Sequence, residues 1–239
     1  MIKLKTRISS VGLSESDGLV VAHDRRFSLL EKGALVRLTT DVSPPGTVMN
    51  DGACDAKGRF WAGTIAADDQ PNTGALYRVE SSGEVEIVVS EIGMSNGIDW
   101  SPDGLTMYHV DSRAGSIDAF TFDPNLGMAS ERRRLVSIDS RDGLPDGLTV
   151  DAEGAIWVAI WGGSQLRRYS PAGTMLRTAS LPVSQVTSCI FGGPDLDVLY
   201  VTSARTGLHQ GALARQPAAG GVFALNVGVR GRPPFRFAR

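Results

Sequence analysis

The chain has only two cysteines and three histidines among its 239 residues, and a net charge of −2. Two cysteines cannot build a disulfide framework. Cys54 and Cys189 therefore read as small buried apolar residues within strand-like runs, as in a protein from a reducing compartment. His23, His109 and His209 show no ligand spacing, which argues against a zinc centre recruiting histidine, and His109 reads as a packed strand residue. The near-neutral charge argues against nucleic acid or a membrane surface as the main partner, so the arginine clusters at 132–134 and 230–239 read as solvated faces. No apolar run approaches the ~20 residues of a membrane-spanning helix. The N-terminal MIKLKTRISS carries basic residues without the apolar stretch of a secretory signal, so a cytoplasmic protein is expected. A phosphate-cradling loop is missing from the sequence, which disfavours nucleotide chemistry. Amphipathic helical patterns of useful length are also missing, and the expected helix content is under about a tenth.

What the chain has instead is a repeat. Gly12, Gly52, Gly97, Gly147 and Cys189 occupy matching places in five units that recur at intervals of about 40–50 residues. Each unit is a short run, a turn and a second run rich in Val, Trp, Tyr and Phe. Four turns carry glycine (Asp17-Gly18, Lys57-Gly58, Asp103-Gly104, Glu153-Gly154), and the fifth is built around Gly192, Gly193 and Pro194. Second strands are expected at 59–63, 106–111, 155–159 and 198–202. Third strands are expected at 74–79, 115–122, 164–169 and 221–226, and fourth strands at 85–89, 133–138 and 175–181. Short strands at this period specify an all-β fold, a β-propeller with one blade per repeat, forming a single domain over residues 1–239.

Three polar dipeptides, Asn50-Asp51, Ser95-Asn96 and Pro145-Asp146, stand immediately before the first strands of consecutive blades, each followed by glycine. Each blade has its own hairpin turn further on, so these motifs are not needed for that turn. Equivalent strand ends of a propeller converge on one mouth of the central channel. Asp51 or Asn50, Asn96 and Asp146 are therefore expected to share a funnel, where their oxygens suit a hard divalent cation. Asp68 and Asp69 lie in a loop after a second strand, and Asp111 ends a strand where it can bond its own turn.

Four ordered segments, MNDGACDAKGRFWAGT, MSNGIDWSPDGLTMYHVDS, LPDGLTVDAEGAIWVAIWGG and LPVSQVTSCIFGGPDLDVLYVTSA, resemble the gluconolactonase/regucalcin (senescence marker protein) family. The resemblance implies a six-bladed propeller that hydrolyses a small sugar lactone with one divalent metal ion, for which Ca, Zn, Mn, Mg and Fe are all compatible. It assigns Asn96 and Asp146 as metal ligands, Asp146 also as general base, and Asn50 and Asp68 as substrate contacts. Two departures accompany it. Val48 stands where the family has an arginine, and the segment carrying the family's glutamate ligand has no counterpart, a role that does not transfer to Glu15. About five blades are countable, so the chain is expected to begin one blade late, with its first blade truncated. The competing expectation is a metal-binding propeller without catalysis.

Overall fold

The computed structural model describes residues 4–66 and 72–239. Among them, five sheets follow one another along the chain as the blades of a β-propeller. Blade 1 contains β1 (Ile8–Ser14), β2 (Leu19–His23), β3 (Arg26–Glu31) and β4 (Ala34–Arg37). Blade 2 contains β5 (Thr47–Cys54), β6 (Phe60–Ala66), β7 (Gly74–Val79) and β8 (Val85–Ile92). Blade 3 contains β9 (Ser95–Trp100), β10 (Thr106–Asp111), β11 (Ser116–Asp123) and β12 (Met128–Ser137). Blade 4 contains β13 (Leu144–Val150), β14 (Ile156–Trp161), β15 (Gln165–Tyr169) and β16 (Met175–Ser180). Blade 5 has three strands, β17 (Val186–Gly192), β18 (Val198–Ser203) and β19 (Val222–Asn226). A six-residue helix, α1 (Gln210–Arg215), lies between β18 and β19. No helix among the described residues is long and apolar enough to cross a membrane.

Local chemistry explains the blades. Successive strands pair antiparallel through tight turns, and Gly58, Gly104 and Gly154 adopt the positive φ expected of them. The turn aspartates add a second device. Asp55 accepts from the backbone of Lys57 and Arg59 and from the indole of Trp61 at 2.9 Å. Asp151 repeats this pattern in blade 4, accepting from Glu153, Ala155 and the Trp157 indole at 3.0 Å. Each aspartate thus ties a hairpin to the tryptophan of its second strand. Burial falls toward the rim of a blade: β14 is almost wholly buried, whereas β12 and β16 are largely exposed. The sequence ERRR is therefore tolerated in β12. Between blades 2 and 3, Trp61, Trp100 and Phe122 meet with ring centroids 5.7 Å apart.

Residues 227–239 run across the blades at the end where the first strands finish. Gly231 N–H donates to Leu196 O in blade 5, and Ala152 N–H of blade 4 donates to Arg230 O. Arg232 reaches Asp99 at 3.0 Å and Trp100 O at 2.7 Å in blade 3. Ala238 N–H donates to Gly58 O in blade 2, and Glu15 and Ser16 of blade 1 donate to Phe237 O and Arg239 O. There β20 (Arg236–Phe237) pairs parallel with β1, and the Phe237 side chain is fully buried. Arg230, Arg236 and Arg239 are exposed, as expected of a solvated face, and Arg232 departs from it, half-buried against Asp99 and Trp100 O. Arg132 also departs from it, because its guanidinium pairs with the buried Asp118.

Candidate functional site

The three polar dipeptides do not precede their strands. They sit inside them, at irregularities in register: between Met49 and Gly52 in β5, between Pro145 and Leu148 in β13, and opposite the break between His109 and Asp111 for β9. A β-bulge bends its strand and re-aims a side chain. The same bulge repeated in neighbouring blades aims polar groups inward at one level. The glycines after them allow the close approach this requires. A Cβ on Gly97 would lie 2.2 Å from Leu148 N, and one on Gly147 would lie 2.2 Å from Ser188 Oγ.

The first strands of blades 2, 3 and 4 are cross-linked at this level. Asn50 Nδ2 donates to Ser95 O at 2.8 Å, joining β5 to β9. Asn96, buried, donates from Nδ2 to Ser112 Oγ at 3.0 Å, and its amide lies near enough to Asp146 to hold that carboxyl down. Ser112 Oγ donates to Pro145 O at 2.5 Å, joining blade 3 to β13. The Asp111 carboxylate accepts from the backbone of Gly93, Met94, Arg113 and Ala114, holding the loop before β9 and its own turn. Behind Asn96, Ser95 Oγ lies 2.8 Å from His109 Nε2. Burial pushes the His109 imidazole down to about 4, so it stays neutral at pH 7 as a packed strand residue.

Asn96 and Asp146 are thus neighbours across β9 and β13. Asp51 joins them. Burial raises its carboxyl to about 6. Burial also lifts Asp146 well above the usual carboxylate range, and the nearby Asp51 charge adds to the rise. Beneath the pair, burial first and then the charges of Asp51, Asp99 and Asp146 raise the Cys189 thiol. Asp51 had stood only as an alternative to Asn50. A two-residue bulge hides which neighbour faces inward, so alternation along the strand does not identify it. Asp68 lies outside the described residues. Glu15 is exposed, on the turn where β1 finishes.

Two half-buried carboxylates beside a ligand-type amide favour a positive ion between them. All the donors are oxygens, as hard cations prefer. The residues present therefore fit a divalent cation, although no group of three or more His, Cys, Asp and Glu side chains suited to a metal occurs among the described residues. A competing arrangement does not fit substrate chemistry. Ser28 Oγ, His23 and Asp24 form a hydrogen-bonded line in blade 1 with both contacts at 2.9 Å, but Ser28 is 2% exposed and its hydroxyl is out of a substrate's reach.

The family described as "SMP-30/Gluconolactonase/LRE-like region" matches residues 1–205. The chain belongs to this family. Among its SMP-30/gluconolactonase relatives, rabbit (Oryctolagus cuniculus) regucalcin is 38% identical over 241 residues, covering 97% of this chain and 81% of the relative. The solved structure of a calcium-binding protein, regucalcin, from Agrobacterium tumefaciens superposes with a TM-score of 0.93 at 30% identity, covering 99% of this chain and 81% of that one. A luciferin-regenerating enzyme superposes with a TM-score of 0.89 at 31% identity, covering 99% and 83%.

Proposed function

We propose that the channel mouth hydrolyses a small hydroxylated sugar lactone with one divalent cation held by Asn96 and Asp146, the Asp51 carboxylate lying alongside. One observation carries this reading: the strand breaks of β9 and β13 bring Asn96 beside Asp146, with the Asp51 carboxylate close enough for its charge to act on Asp146. A cation bound there supplies Lewis-acid polarisation of the lactone carbonyl. The chain's own groups do the rest. Asp146, whose affinity for a proton is raised by burial, accepts the proton of the attacking water. Asn50, with its amide nitrogen occupied by Ser95 O, keeps its carbonyl oxygen for a substrate hydroxyl. Asp68 is assigned a second substrate contact by the family pattern alone. The family's sixth blade, with a glutamate from its first strand as a further ligand, belongs to the same reading.

A second reading, a cation-binding propeller without catalysis, is favoured by Val48. This apolar side chain, 36% exposed, stands where the family has an arginine, so a charged substrate contact is missing. A pH-indicator assay with gluconolactone and xylonolactone, with and without added Ca²⁺ or Mn²⁺, separates the two. Cation-dependent hydrolysis that Asp146→Ala abolishes is the expected result. Full activity in that variant removes Asp146 from the mechanism, and cation binding without turnover leaves the non-catalytic reading.

A further inference from the structure

We propose that Ser112 is a positioning residue that fixes which end of the Asn96 amide faces the cation. This deepens the functional reading above and rests on Asn96 being a ligand.

Ser112 Oγ lies 2.5 Å from Pro145 O and 3.0 Å from Asn96 Nδ2. A carbonyl oxygen only accepts, so the hydroxyl gives its single hydrogen to Pro145. Toward Asn96 it can then offer only a lone pair. That requirement turns the amide nitrogen toward Ser112. The amide oxygen is left as the one atom of the side chain able to bind a cation. In a reversed amide, the oxygen would face the serine oxygen and an N–H₂ group would face the cation.

The serine is well placed to impose this order. It is 2% exposed, so bulk water does not compete for its hydroxyl. Its own N–H donates to Met94 O at 3.0 Å, and the preceding Asp111 carboxylate anchors both flanking loops. Because Pro145 immediately precedes Asp146, one hydroxyl sets the orientation of the first ligand and ties down the backbone next to the second.

The test is calorimetric titration of the metal-free protein with Ca²⁺ and with Mn²⁺, with melting curves recorded in chelator to confirm folding. Ser112→Ala is expected to weaken cation binding by about 10–100-fold, the usual effect of losing a partner that orients a ligand. Ser112→Cys, which preserves the shape while offering a poor acceptor, should act in the same direction. The decisive comparison is made in an Asn96→Asp background. A carboxylate has two equivalent oxygens and needs no orienting, so Ser112→Ala should cost no affinity there. An equal loss in both backgrounds would show a merely structural hydroxyl and overturn the proposal. Unchanged affinity in Ser112→Ala overturns it while leaving the cation site intact. Failure of the unmutated protein to bind either ion removes both the cation site and the role of Ser112.

Discussion

Replacing Asp51 by asparagine should stabilise the metal-free protein at neutral pH and do nothing for it in acid. Burial raises the Asp51 carboxyl from its ordinary 3.8 to about 6. The folded chain therefore holds this proton up to about pH 6, whereas the unfolded chain releases it near 3.8. Stability from the neutral form is fully present below 3.8 and is lost as pH rises through about 6. The difference of about two units, at about 1.4 kcal/mol each, sets a penalty of up to about 3 kcal/mol above pH 7. Asparagine does not ionise and lacks this penalty. It also relieves the like charge beside Asp146. In chelator at pH 8 the melting temperature of Asp51→Asn should rise by about 6–12 °C for a domain of this size. At pH 3.5 the two proteins should melt together. With saturating Ca²⁺ at pH 8 the order should invert, because a ligand that binds only the folded state stabilises it, and the unmutated protein keeps the second carboxylate for that ion. A stability change equal at both pH values, or a loss at pH 8 in chelator, would refute the account of two uncompensated carboxylates.

Two further outcomes test the framework. Asp151→Ala strips the acceptor from the Trp157 indole and from Arg168 at a fully buried position, and should cost about 3–5 kcal/mol in urea unfolding. A loss below about 1 kcal/mol would mean that the turn carboxylate does not hold the blade. Cys54, with its thiol pushed up to about 12 by burial, and the equally buried Cys189 should resist Ellman's reagent at pH 8 until the protein unfolds. Rapid labelling of the native protein would contradict their burial.

The blades were legible because their signals are local. Hairpin glycines and alternating second strands act over a few residues, so β10 falls where the spacing put it and β18 extends only one residue further. The meeting of Asn96 with Asp146 was legible because equivalent positions of a repeat must converge. The bulges were not, since a bulge is a property of two paired strands rather than of one run. Asp51 was hidden for that reason. Ser112 carries no mark at all in the sequence, because its role depends on Pro145, a residue of the next blade. Of the C-terminal arginines, Arg232 alone is drawn in from solvent, and its partner Asp99 lies too far off in sequence to signal this.

The closing strap has a consequence for how the molecule is made. Hydrogen bonds from residues 230–239 reach all five blades, and these residues are made after every blade strand. Hairpins can form as each emerges, on a timescale of microseconds. The contacts that lash the blades together must wait until this segment has emerged. Until then the nascent blades are an unlocked row, and quality control by chaperones has its opportunity in that interval.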